Sequence, residues 1–139
     1  MSNVNICDIT DEVKTALKEF RFSKAQSTSA LILKVDRENQ KVVVDEKLDD
    51  TSIDEIRESL PGHQPRFIIM SYKREHADGR TSYPLCFVFY TPRDSHSELQ
   101  IMYAGTKITL QRSADLNRAY EIRELDEFTD DWLLEKLGN

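Results

Sequence analysis

Three histidines, two cysteines and a few adjacent carboxylates are the residues of this 139-residue chain that could do chemistry. A zinc site needs His or Cys ligands about two to five residues apart. His63, His76 and His96 have no such neighbours, so the spacing predicts no metal centre. A nucleophilic thiol needs a base within reach and partial exposure. Cys86 stands inside the apolar run Leu85–Tyr90, where a thiol behaves as a small hydrophobe. Cys7 precedes the first predicted helix, whose dipole could acidify it, but no sequence feature supplies its base. Asp49-Asp50 and Asp130-Asp131 flank predicted helix starts, where capping and the helix dipole account for them. Gly79 and Gly105 stand alone, so there is no Gly-rich phosphate loop. The expectation is a protein that is not an enzyme and uses no cofactor. A hydrolase or redox enzyme acting through Cys7 or Cys86 is the disfavoured alternative.

What remains is surface, and the elements that position it. A chain of this length buries roughly two-thirds of its unfolded surface, enough for one core. It is 39% apolar and 32% charged, with four Gly, four Pro and no linker-like stretch, so a single domain over 1–139 is expected. The structured core is read as about 8–138, after a flexible N-terminus 1–7. The net charge of −6 is concentrated. Between Glu121 and Glu135 there are seven acids against one base, Arg123, so that segment carries all of it and the remainder is neutral. This argues against nucleic acid as a partner. Two cysteines make no disulfide framework, and a reducing interior is expected. No signal-like segment or membrane-length apolar run is visible, so neither export nor membrane association is expected.

Ile9, Val13, Ala16, Leu17 and Phe20 share one helical face, capped by Asp8 or Thr10. Ala30–Val35 and Lys41–Val44 read as strands joined by a turn at Asp36–Gln40. Ser52 and Glu55 form a capping-box pattern for a second helix, which Pro61-Gly62 stops. Arg66–Lys73 and Thr81–Tyr90 are longer strands, with Asp78-Gly79 as the turn signal between them. Pro84 predicts an edge or a bulge. A long helix spans about Ser95–Ala114, with Leu99, Met102, Tyr103 and Leu110 inward and Gly105 as a weak point. Tyr120–Ile122 reads as a short edge strand. Thr129 caps a last helix to Leu137, stapled by Phe128 and Leu133 and stopped by Gly138. The fold class is therefore α/β of the α+β type: a central mixed, mainly antiparallel sheet of about five strands, flanked by helices on both faces. The outer side of the long helix carries Glu98, Gln100, Ile101, Lys107 and Gln111. An apolar residue there, Ile101, suits a partner anchor.

At this helix the chain resembles the actin-depolymerising factor/cofilin homology (ADF-H) domains. Ile101-Met102-Tyr103-Ala104-Gly105-Thr106-Lys107 is similar to the family's Met-hydrophobic-Tyr-Ala-Ser-Ser-Lys motif, and Thr91-Pro92 before it also fits. The resemblance is closer to one branch, the glia maturation factors. It is carried by Cys7-Asp8, Phe20-Arg21-Phe22, Gln64-Pro65-Arg66-Phe67-Ile68, Ser82-Tyr83-Pro84-Leu85-Cys86-Phe87, Met102-Tyr103-Ala104-Gly105, Tyr120-Glu121-Ile122-Arg123 and Trp132–Gly138.

That branch implies binding to the actin-related protein 2/3 complex, inhibition of actin nucleation by it, and debranching of filament networks. Actin at the branch junction is a further implied partner, and the protein is expected to be a monomer. The implied first surface is Ser2, Asn3, Glu98, Gln100, Ile101, Met102, Lys107 and Gln111. The second is Arg21, Lys24, Arg80, Glu124, Asp126 and Glu127. Ser2 is the implied phosphorylation position. The implied location is the cytoplasm, at the actin-rich cortex and lamellipodium, with the nucleus as a second compartment. The alternative is conventional cofilin-like actin binding and severing. Against it, cofilin's two actin-contacting lysines fall at Glu98 and Gln100 here. The basic start of cofilin's strand before the long helix is replaced by Ser82-Tyr83-Pro84, although Arg80 is nearby.

Overall fold

The computed structural model describes residues 7–24 and 26–138. The chain begins with a two-residue strand, β1 (Asp8–Ile9), and helix α1 (Asp11–Arg21). Thr10 separates them. Its hydroxyl accepts from the Val13 amide at 3.3 Å, capping α1, and donates to the Val42 carbonyl at 2.9 Å. Ile9, expected on the helix, therefore lies in β1 instead.

β2 (Ser29–Asp36) and β3 (Lys41–Leu48) form the predicted hairpin. Gln40, at φ +53, closes the turn, and the register shifts between Ile32 and Leu33. Helix α2 (Ile53–Ser59) starts at Ser52, whose hydroxyl accepts from the Glu55 amide at 3.2 Å. β4 (Arg66–Ser71) follows. The predicted strand Thr81–Tyr90 is split. A small separate hairpin pairs β5 (Arg74–Glu75) with β6 (Thr81–Ser82), and β7 (Leu85–Tyr90) begins only after Pro84. Pro84 offers no N–H to a ladder, so the strand breaks there and not at a sheet edge. Its carbonyl accepts from the Tyr72 amide at 3.1 Å.

The long helix α3 (Ser97–Ser113) runs unbroken through Gly105. β8 (Ala119–Ile122), a 3-10 turn at Leu125–Glu127 and α4 (Asp130–Leu137) complete the chain. The Thr129 hydroxyl caps α4 by accepting from the Trp132 amide at 3.1 Å, and Gly138 ends it at φ +74.

The main sheet has six strands in the order β1-β3-β2-β4-β7-β8. The outer pairs are parallel and the inner pairs antiparallel. β1 supplies the strand beyond the expected five. Both faces are covered, which explains the near-continuous apolar strands. Alternation sends Leu31, Leu33, Phe67, Ile69, Phe87 and Phe89 toward α1 and α3. It sends Ile32, Ile68, Met70, Cys86 and Val88 toward α2 and α4.

Candidate functional site

α3 is held to the sheet by its inward residues. Met102, Tyr103, Thr106 and Leu110 are buried. The Tyr103 hydroxyl accepts from the Val35 amide at 2.9 Å, and its ring lies 5.0 Å from that of Phe67. With the inner face fixed, the outer stripe is Ile101, Ala104, Ile108 and Arg112. Ile101 is 52% exposed and Ile108 54%. They lie seven residues, about two turns, apart, so they form one apolar ridge. Ile108 was not among the residues expected at the surface. Its spacing from Ile101 was the available signal.

The other expected members of the first surface behave differently. Met102 is 4% exposed, which corrects its placement on that surface: it belongs to the core beneath it. Glu98 is open, but its carboxylate accepts from the Arg37 guanidinium at 2.6 Å, so its charge is locally offset. The Gln100 amide donates to the Ser95 carbonyl at 2.8 Å, bracing the start of α3. Lys107 sits 5.7 Å over the Phe89 ring, a cation–π contact. The Gln111 amide donates to the Leu116 carbonyl at 3.0 Å. Ser2 and Asn3 lie outside the described residues.

The expected second surface divides. Arg21 ends α1, and its guanidinium donates to the Ala114 and Asp115 carbonyls at 2.7 and 3.2 Å. It thereby caps the C-terminus of α3. Lys24 lines a hollow of about 320 Å3 with Phe20, Arg21, Tyr83 and Leu85. Arg80 belongs to the β5–β6 hairpin and pairs with Asp78 at 2.7 Å. All three lie toward the end of the sheet where Ser71 faces Leu85. Glu124, Asp126 and Glu127 follow Ile122, which faces Tyr90 at the opposite end. Glu124 accepts there from Arg93 at 3.2 Å, and the Glu127 carboxylate accepts from the Glu124 amide at 3.1 Å. The acidic cluster is therefore separate from the basic one. Sequence order hid this, because β8 carries the chain from one end of the sheet to the other.

One exposed residue in the basic region escaped sequence reasoning. Phe22, just past α1, is 70% exposed. It lines a hollow of about 390 Å3 with Lys14, Leu17, Lys18 and Arg21. Hydrophobicity alone would have placed it inside; its position one residue past the last turn of α1 places it outside.

The thiols are poorly placed for nucleophilic chemistry. Cys7 is 1% exposed and Cys86 fully buried. Cys7, expected in a flexible N-terminus, is thus part of the core. Burial raises both thiol pKa values, that of Cys86 to about 11. The neutral thiol is favoured in the fold, so its contribution to stability is present below about pH 9 and is lost as pH rises through about 11. At ~1.4 kcal/mol per unit this amounts to about 3 kcal/mol. Urea melts are expected to show wild type losing more stability than Cys86→Val between pH 9 and 11. Parallel curves would contradict this origin. Among the described residues, no group of three His, Cys, Asp or Glu is arranged to hold a metal. Among the described residues, no helix is long and apolar enough to cross a membrane.

A ridged long helix thus lies on a mixed sheet that is covered by helices on both faces. Residues 6–138 match the family model described as Cofilin/tropomyosin-type actin-binding protein. The chain belongs to that family, within its glia maturation factor branch. It is 63% identical to Glia maturation factor of Drosophila melanogaster over 99% of both chains. It is 46% identical to Glia maturation factor beta of Homo sapiens, over 96% of this chain and 94% of that one. The solution structure of glia maturation factor from Caenorhabditis elegans superposes with TM-score 0.81 at 44% identity, covering 96% of each chain. Plasmodium berghei actin depolymerization factor 2 shares the fold, with TM-score 0.82 at 22% identity, over 96% of this chain and 97% of that one.

Proposed function

We propose that this protein binds the actin-related protein 2/3 complex, inhibits actin nucleation by it and promotes debranching, without covalent chemistry. It acts as a monomer in the cytoplasm at the actin-rich cortex and lamellipodium, and touches actin at the branch junction. The observation that carries the reading is the α3 surface. An apolar ridge, Ile101 and Ile108, is flanked by a neutralised Glu98–Arg37 pair and by Gln100, where cofilin presents two lysines. That surface suits an actin-like groove while lacking the two lysines at the positions of Glu98 and Gln100. Debranching then follows from differential binding: the branch equilibrium shifts only by the preference for the debranched state.

The test compares affinity for the purified complex with co-sedimentation on bare filaments. Wild type is expected to bind the complex tightly and to pellet weakly. The double change Glu98→Lys, Gln100→Lys is expected to strengthen filament pelleting by about tenfold and to weaken binding to the complex. Strong pelleting of wild type on bare filaments would favour the cofilin-like alternative.

A further inference from the structure

We propose that Arg37, in the β2–β3 turn, is a binding residue of the docking surface: Glu98 holds its guanidinium beside Ile101, where its remaining N–H groups receive a carboxylate of the partner. The inference deepens the functional reading above and rests on it.

A guanidinium carries five N–H donors in a planar fork that matches a carboxylate. Among the described residues, the one side-chain hydrogen bond of Arg37 runs from Nη2 to Glu98 Oε2 at 2.6 Å. The other N–H groups remain on a side chain that is 46% exposed. Glu98 and Ile101 lie three residues apart on α3, so they are neighbours on its surface. The guanidinium is thereby held next to the apolar ridge, although Arg37 is remote from α3 in sequence.

The backbone around Arg37 is braced from both sides. The Val35 amide, two residues before it, donates to the Tyr103 hydroxyl at 2.9 Å, which ties this end of β2 to α3. Within the turn, the Asn39 side-chain amide donates to Asp36 at 2.8 Å. The Gln40 carbonyl accepts from the Asp8 amide at 2.9 Å. A cation on a fixed turn, with its tip already oriented, gives up less freedom when a partner binds.

The acids nearest to it are engaged elsewhere. Asp36 is bonded to Asn39, and Asp45 accepts from Arg66 at 3.0 Å and pairs with Lys34 at 3.7 Å. Beside Arg37 is a hollow of about 450 Å3, which it lines with Lys34, Arg66, Leu99 and Tyr103. An acidic side chain from a partner seated on the ridge has room there, and at its mouth it meets Arg37 and Lys34. Arg–carboxylate pairs made through two parallel N–H groups are directional as well as strong, so this contact also fixes the register of docking.

The competing account is that Arg37 does no more than mask the charge of Glu98. The two are separated by equilibrium binding of the full chain to the purified complex, for wild type, Arg37→Gln, Arg37→Lys and the double change Arg37→Gln, Glu98→Gln, at about 50 and 200 mM salt. Arg37→Gln is expected to bind about thirtyfold more weakly at the lower salt, because it removes the receptor and bares Glu98. The double change is expected to remain about tenfold weaker than wild type, since the receptor is still missing. Arg37→Lys keeps the charge without the fork and is expected to lose about threefold. Wild type is expected to lose more affinity between the two salt concentrations than the double variant. Melting curves of all variants are expected to coincide within a few degrees, because the pair is solvent-exposed. A double variant that binds like wild type would overturn the inference, leaving Arg37 as a mask for Glu98. So would an unchanged affinity of Arg37→Gln in a protein whose binding Ile101→Asp does weaken, or equal salt dependence of wild type and the double variant. A wild type that does not bind the complex would overturn the functional reading, and this inference with it.

Discussion

Ile101→Asp is expected to weaken binding to the actin-related protein 2/3 complex by about a hundredfold while leaving the fold intact. Ile101 is 52% exposed, so little of its side chain supports its own core. Surface changes away from caps and cores usually alter stability by about 0.5 kcal/mol or less. An apolar anchor at the centre of an interface contributes about 2 kcal/mol or more, and a carboxylate in its place must also be desolvated against an apolar groove. Together these reach about 3 kcal/mol, which is roughly a hundredfold in affinity. Ile101→Ala, without the charge, is expected to cost about thirtyfold. Ile108→Asp is expected to behave like Ile101→Asp, because the two share one ridge. Binding titrations with melting curves on the same samples check this. Equal affinity for Ile101→Asp and wild type would remove the ridge from the interface.

The largest expected effect on stability is at Phe67. It is fully buried in the central strand β4, which pairs with both β2 and β7. Its ring centroid lies 5.0, 5.5 and 5.8 Å from those of Tyr103, Phe89 and Phe87. Phe67→Ala removes the centre of this group, and the neighbours cannot all close on the space. The expected loss is about 4 kcal/mol from both transfer and cavity terms. Against a total of about 5–15 kcal/mol for a typical domain, that is a large fraction. For a chain of this size it corresponds to a fall in melting temperature of roughly 10–15 °C. Tyr103 packs on the same ring, so the same change loosens the seat of α3, the helix that carries the Ile101–Ile108 ridge. Phe67→Leu is expected to cost less than half as much. A fall of only a few degrees for Phe67→Ala would show that the aromatic group is not the centre of the core.

The parts of the fold that were legible in the sequence were those set by local chemistry. Thr129 and Ser52 cap their helices through the amide three residues on, as their side chains dictate. The apolar runs at Ala30–Val35 and Leu85–Tyr90 became doubly covered strands. What escaped depended on distant partners. β1 has two residues, too few for any periodicity, and exists because β3 lies beside it. The split at Pro84 was legible as a disturbance, but its form, a separate hairpin, depends on what pairs with Thr81–Ser82. The 3-10 turn at Leu125–Glu127 rests on a Glu124–Glu127 capping box that acidic composition alone does not reveal.

The site divides in the same way. Ile101 stood out because α3 already had its core stripe. The state of Glu98 was hidden, since its partner Arg37 is 61 residues away. The acidic residues that give the chain its charge were legible as a cluster, but their distance from Arg21 and Lys24 follows from the direction of β8.

The most direct test of the central proposal is single-filament microscopy of pre-formed branches, at saturating protein and without severing factors. The branch lifetime is expected to be several-fold shorter than in buffer, with mother and daughter filaments left intact and Ile101→Asp inactive at the same concentration. A lifetime unchanged at saturation would contradict it.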